Sequence, residues 1–221
     1  MLKVLVLDGG YGGELFADLL ESELPIVEVI RVIDWRNAAN YQNSPRTARK
    51  AALMAIKPYI GRVNLIVFAN YLLTETSLSF FQNKFHDQKF TGLKLPVIST
   101  KSKQPALILT TKSFTRTISF HSYLFRLKYH ANTICLDTWP ALIDDGELSI
   151  NMIEREFEKL FIKHKSYPSE IILTCSGFKD IVPELRRVLG KNTKIHDNFN
   201  SAVFDICKIL KIRGKTGKKI K

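Results

Sequence analysis

The chain has 221 residues, 33 Lys+Arg against 21 Asp+Glu, a formal charge of +12 and 45% hydrophobic residues. This composition excludes disordered and collagen-like chains, and no apolar run reaches the ~20 residues that a bilayer-spanning helix needs. The length allows one large domain or two small ones, each able to bury a core.

Met1 leads directly into Lys3-Val4-Leu5-Val6-Leu7, without the basic start and small-residue cleavage site of a secretory leader. A soluble, cytoplasmic protein with no membrane contact is expected. Short apolar, β-branched runs predict strands at 3–8, 26–33, 63–69, 96–99, 105–111, 132–136, 170–175 and 193–196, of the kind covered on both faces. Between them, Ser44-Pro45 reads as an N-cap and first turn of a helix that ends near Gly61, with Pro58 disturbing its last turn. Ser149 caps a helix over 150–164, where Ile150, Ile153, Phe157, Leu160 and Phe161 form one apolar stripe. A further helix spans 178–189 and stops at Gly190. The alternation predicts an α/β architecture with mainly parallel sheets.

An internal echo runs through these elements. The strands ending at Asp8 and Ala69 recur, at nearly the same interval, as strands ending at Thr111 and Cys175, and the segments 64–70 and 170–176 read as counterparts. Two similar halves are expected, 1–95 and 96–207, followed by a tail at 208–221, with a return of the chain to the first half near its C-terminus left open. Open α/β sheets bind ligands beyond the carboxyl ends of their strands. Two such halves facing each other would set Asp8, Asn70, Thr111 and Cys175 around a shared cleft.

Asp8-Gly9-Gly10-Tyr11-Gly12-Gly13 is the sharpest local signal, since glycines between a strand and a helix let backbone N–H groups approach an anion. It is a poor dinucleotide fingerprint, because Leu15 stands where GxGxxG needs its third glycine. Cys175 closes one strand and precedes a helical stretch, a setting in which a thiol can act as base, acid or nucleophile. Cys135 and Cys207 are read as packing residues. The three cysteines form no CxxC pair and the five histidines no HExxH spacing, so neither a metal site nor a disulfide framework is expected. The tail from Lys208 to Lys221 holds seven basic residues and no acidic one. It reads first as a solvated end, with weak nucleic-acid contact as the alternative.

These motifs, taken in order, resemble the aspartate/glutamate racemase superfamily, and glutamate racemases in particular. Asp8 to Gly13 is similar to that family's Asp-Ser-Gly-x-Gly-Gly, and Ala69-Asn70-Tyr71 falls where it carries Cys-Asn-Thr. Leu95-Pro96-Val97-Ile98 resembles the opening of its second half, and the segment from Cys135 to Gly146 its Cys-Pro-rich stretch. Thr174-Cys175-Ser176-Gly177-Phe178 lies where it has Gly-Cys-Thr-His-Tyr.

The resemblance implies two Rossmann-like or flavodoxin-like halves facing a central cleft, a small carboxylate or amino-acid ligand, a homodimer, and cofactor-free, metal-free chemistry. Two cysteines of that family, one per half, remove and return an α-proton on opposite faces of a planar intermediate. Here Cys175 and Asp8 are the catalytic candidates. Gly9, Gly10, Asn70, Tyr71, Thr111, Thr174 and Ser176 are the substrate-binding candidates, and Ala69 marks a lost catalytic position. Gly177 replaces the histidine that follows the family's second cysteine, Gly9 the serine, and Asn40-Tyr41-Gln42 is all that stands for a Pro-Tyr-Gly segment. A compensating base would have to be Asp8 or His121. The expected function is therefore a small-carboxylate binder without ordinary two-cysteine racemisation. The alternatives are a one-base enzyme using Cys175, resembling arylmalonate decarboxylase, and a non-catalytic regulatory protein with a basic tail.

Overall fold

The computed structural model describes residues 1–98, 106–127, 131–164 and 168–214, with side chains described throughout these except at 160–164. The chain divides into two compact units, Met1–Leu95 joined by the segment from Asn198 onward, and Pro96–Asp197.

In the first unit β1 (Leu2–Asp8), α1 (Tyr11–Glu23) and β2 (Val27–Ile33) are followed by a 3-10 turn at Trp35–Asn37, then α2 (Ala38–Asn43) and α3 (Pro45–Ile56). A second 3-10 turn at Lys57–Tyr59 leads to β3 (Leu65–Phe68), α4 (Tyr71–Lys84) and β4 (Phe90–Gly92). The strands form one parallel sheet in the order β2-β1-β3-β4. Its central strands are apolar without alternation because both faces are covered: Val4 to Leu7 and Leu65 to Phe68 have no exposed surface. On one face Leu5, Leu7, Ile66 and Phe68 pack with Tyr41, Ala48, Ala52 and Phe81.

The second unit repeats the scheme. It contains β5 (Ala106–Thr110), α5 (Lys112–Thr115), α6 (Ile118–Arg126), β6 (Ala131–Cys135), α7 (Trp139–Asp144), α8 (Ile150–His164), β7 (Glu170–Leu173), α9 (Val182–Leu189) and β8 (Lys194–His196), with a 3-10 turn at Ser176–Lys179. Its parallel sheet runs β6-β5-β7-β8, the same order as the first. Leu107, Leu109, Ile171 and Leu173 pack under Ile153, Phe157, Phe178 and Leu185. Burying a phenylalanine such as Phe157 contributes on the order of 1.5–3 kcal/mol. The final helix, α10 (Phe199–Leu210), returns to the first unit, where Phe199 meets Phe16 edge-on at 5.2 Å and Asp205 pairs with Lys94 at 2.8 Å.

The α/β class, the parallel sheets and the repeated halves thus follow the hydrophobic pattern. Three local expectations need correction, and one strand was not foreseen. Pro96, Val97 and Ile98 form no strand, and Val97 is 95% exposed; a proline start and an unburied valine leave nothing to hold a ladder there, and Ser99 lies outside the described residues. The helix expected over 178–189 is broken into the 3-10 turn and α9. Pro183 causes this, since it lacks an N–H and its ring clashes with the preceding turn of a continuous helix. Cys135 is exposed on the edge strand β6 and is no packing residue. Strand β4 escapes the pattern because it has three residues, one of them glycine; a Cβ on Gly92 would lie 2.8 Å from the Phe68 carbonyl oxygen. In the stripe of α8, Ile153 and Phe157 are fully buried, while the side chains of Leu160 and Phe161 lie outside the described residues, as do Lys215 to Lys221 of the tail.

Helix α3 starts as its sequence dictates. Ser44 Oγ accepts from the Thr47 N–H at 3.2 Å, and Thr47 Oγ1 accepts from the Ser44 N–H at 3.1 Å, a reciprocal cap that satisfies two otherwise orphaned donors. Replacing Ser44 with Ala is expected to lower the unfolding free energy by about 1 kcal/mol in urea titrations, without changing the slope of the transition.

Candidate functional site

The candidate residues cluster at the carboxyl ends of the two central strands of each unit. In the first unit Asp8 is the last residue of β1, and Ala69 and Asn70 follow β3 directly. Asp8 is 3% exposed, and its Oδ1 accepts from the Gly9 N–H at 2.7 Å and from Asn70 Nδ2 at 3.0 Å. Asn70 is committed at its other end as well, because its Oδ1 accepts from the Leu73 N–H at 2.9 Å and so caps α4. One side chain therefore fixes both a helix start and a buried carboxylate.

The glycines are explained by closeness. A Cβ on Gly13 would lie 2.5 Å from Asp8 Cβ and 2.7 Å from Ile33 Cδ1, and one on Gly9 would lie 2.7 Å from Tyr41 Cδ2. Gly10, half-buried, precedes α1 as its N-cap and accepts from the Gly13 N–H through its carbonyl. These close approaches require the glycines whether or not an anion is bound.

Tyr41 is the residue that the sequence undervalues. Its ring is 1% exposed and fills the space above Gly9, and its hydroxyl donates to Asp34 Oδ2 at 3.2 Å. Asp34 in turn accepts from Asn37 Nδ2 at 3.0 Å, and Asn40 Nδ2 donates to Asn37 Oδ1 at 2.9 Å. The Asp34 N–H also donates to the Asp8 carbonyl at 2.9 Å, which ties this network to the end of β1. Burial first, then the charges of Asp34 and Asp8, push the Tyr41 phenol far above its usual range, so it remains protonated. The signal was present as a strand-terminal Asp34 followed by Asn40-Tyr41-Gln42, but a remnant of three residues does not disclose a ring packed onto Gly9. Tyr71 is 2% exposed, and its hydroxyl accepts from the Asn198 N–H at 3.2 Å, at the start of α10.

In the second unit Thr111 follows β5, its Oγ1 lying 3.1 Å from Ser113 Oγ. Thr174, Cys175 and Ser176 follow β7, the strand paired with β5. Thr174 is buried and its hydroxyl donates to the Leu109 carbonyl at 3.1 Å. Ser176 is 6% exposed. Cys175 is partly exposed and packs against the Leu109–Leu173 core, and its carbonyl accepts from the Phe178 N–H at 3.2 Å to open the 3-10 turn. A Cβ on Gly177 would meet only Ile143 Cγ2, at 4.0 Å, so a side chain can start there without a clash. His121 lies exposed on α6 against Phe120.

The two sheets also give a register for the internal repeat. The Ala69 N–H donates to the Leu7 carbonyl and the Thr174 N–H to the Leu109 carbonyl, each at the equivalent step between central strands. Ala69 is thus the counterpart of Thr174, and Asn70, which starts α4, is the counterpart of Cys175, which starts the 3-10 turn. The sequence echo of 64–70 with 170–176 is one residue out of this register. Among the described residues no group of three or more His, Cys, Asp or Glu side chains could hold a metal ion, and no helix is long and apolar enough to cross a membrane.

The crowding over residue 9 is testable by a double-mutant cycle. Gly9→Ser should cost about 1–3 kcal/mol of stability, as overpacked sites do. In a Tyr41→Ala background the same serine should cost less than about 0.5 kcal/mol, giving a coupling that equilibrium denaturation can resolve.

No protein-family model matches the chain. It is 22% identical over 201 residues to a glutamate racemase of Clostridium novyi, a match covering 86% of this chain and 76% of that one. Escherichia coli glutamate racemase, solved with L-glutamate and the activator UDP-MurNAc-Ala, has the same fold, with a TM-score of 0.84 at 19% identity over 100% of this chain and 86% of that one. Allantoin racemase of Pseudomonas fluorescens is more distant, with a TM-score of 0.58 at 14% identity over 100% of this chain and 95% of that one. The chain is thus similar in sequence, along most of its length, to a glutamate racemase, and it has the fold of the glutamate and allantoin racemases.

Proposed function

We propose that this chain binds a small carboxylate or amino acid through its strand-end residues and does not catalyse ordinary two-cysteine racemisation. The reading rests on one observation: Cys175 is a sulfur just beyond a central strand, whereas Ala69, where the family carries its first cysteine, presents a fully buried methyl group. Inversion at an α-carbon needs one group to take the proton and another, on the opposite face, to return it. Neither Ala69 nor Asn70, the two first-unit residues that could stand for the missing thiol, is able to exchange a proton at neutral pH. Asp8, held by Gly9 and Asn70, is the remaining candidate base of the first unit. Asn70, Thr111 and Ser176 offer hydrogen-bonding groups to a carboxylate or amino group.

Cys175 also supports a second reading, a one-base enzyme. Cys175 is partly exposed and stands at the opening of a 3-10 turn, and a thiol is a group that can give or take a proton. Alone, it could protonate one face of a planar carbanion, the step that follows loss of carbon dioxide from an activated malonate.

Proton exchange in deuterated water over a panel of amino and hydroxy acids, followed by NMR and chiral chromatography, separates these readings. No inversion of L- or D-glutamate is expected. Exchange with retained configuration, or decarboxylation of an arylmalonate, would establish one-base chemistry, and Cys175→Ala should then abolish it. Inversion at rates typical of enzymes would overturn the proposal. Ala69→Cys alone is expected to leave racemisation at least a hundredfold below an enzyme with both thiols, because Gly9 and Gly177 also differ from the family pattern; this loss corresponds to about 2.7 kcal/mol of barrier.

A further inference from the structure

Away from the strand ends, the charge of the first unit is unevenly placed. Between Trp35 and Thr74 the sequence has six basic residues, Arg36, Arg46, Arg49, Lys50, Lys57 and Arg62, and no Asp or Glu. Helix α3 gathers several of them on one side. Its Ala48, Ala51, Ala52 and Ile56 enter the core, while Arg46, Lys50 and Met54, each one turn beyond the last, are exposed together with Lys57 just past its end. Among the described residues none of these cations forms an ion pair, in contrast to Lys3, Arg31 and Lys94 of the same unit.

Arg49 adds a fixed charge beside this line. Its guanidinium stacks over Phe80 at 4.5 Å, donates to the Thr76 carbonyl at 3.1 Å and reaches Ser77 Oγ at 3.4 Å, so neutral acceptors hold it in place. Lys84 Nζ lies 5.9 Å from the centre of the same Phe80 ring. The two charges are therefore no more than about 10 Å apart, within roughly one screening length at 0.1 M salt. Like charges held this close repel one another, and an anion laid between them removes that cost.

We propose that this face of α3, with Arg46, Arg49, Lys50 and Lys84, binds the phosphate backbone of nucleic acid without reading its sequence. Arg46 and Lys50, one helical turn or about 6 Å apart, with Arg49, Lys57 and Lys84 around them, suit a ligand whose charges repeat, whereas a lone phosphate would engage only one or two of these cations. A lipid surface fits less well, because Met54 is the single large apolar side chain exposed on the helix and its other apolar side chains are committed to the core. The Phe80 ring is covered by Arg49, so base stacking there is not part of the interaction. One carboxylate, Asp87, sits in the turn that Gln88 ties to the Gly61 N–H, toward the Lys57 end; the Arg46 end has none in its own segment.

The test uses the full chain and fluorescence anisotropy with a labelled DNA duplex and a labelled single-stranded RNA, each about 20 nucleotides long, across a range of salt. Wild-type protein should bind both, more weakly as salt rises. R46E/K50E alters exposed side chains and should keep its melting temperature, yet bind at least tenfold more weakly with a salt slope shallower by about two. R46Q/K50Q serves if the charge reversal disturbs folding, with the same direction expected. Neutralising the tail with Lys218→Ala, Lys219→Ala and Lys221→Ala should leave affinity within threefold. The proposal fails if the α3 variants bind like wild type, if the tail variant alone loses binding, if neither nucleic acid binds, or if polyglutamate or phosphatidylserine vesicles bind more tightly at equal salt.

Discussion

The carboxylate of Asp8, buried at the end of a strand, is the constraint to which the first unit conforms. A desolvated charge is tolerated only when hydrogen bonds replace its water. Here the Gly9 amide and the Asn70 carboxamide supply them. That arrangement requires Gly13 to come within van der Waals range of Asp8, which no larger residue could do, and it requires Asn70 to stand at the start of α4. In the run that reads in sequence as a phosphate cradle, Gly9 and Gly13 are thus required by packing.

The two units share a topology and finish it with different chemistry. At the ends of the central strands the first unit presents a carboxylate and an amide, and the second presents hydroxyls and a thiol. The sheet fixes where such groups stand, while the side chains decide what they can do, so a fold shared with racemases leaves the chemistry open. In the first unit the volume above residue 9 is given over to the Tyr41 ring, anchored through Asp34 to Asn37 and Asn40. The absence of a side chain at residue 9 and the tyrosine packed over it are one arrangement viewed from two sides.

Much of this was legible in the residues. Uninterrupted apolar runs gave the central strands because both sheet faces are covered, and Ser44-Pro45 gave the start of α3 because a hydroxyl cap is a local device. What failed was short or non-local. Strand β4 is too brief for a period to show, and Pro183 splits a helix whose apolar spacing continues across it. The register of the repeat was misplaced by one residue, since apolar likeness between 64–70 and 170–176 does not report which amide meets which carbonyl. Strand-end positions for Asp8, Asn70, Thr111 and Cys175 could be read from the pattern; the Tyr41–Asp34 network could not, because it depends on three segments meeting around one glycine.

The course of the chain has a consequence for how it folds. Because α10 packs into the first unit, with Phe199 against Phe16 and the Asn198 amide on Tyr71, the second unit is an insertion within the first. The first unit is assembled from two stretches of chain separated by the whole of the second unit. Its formation therefore includes a long-range closure that local contacts in the inserted unit do not require. Until α10 joins the first unit, the ring of Phe16 lacks the edge-on contact that Phe199 makes with it.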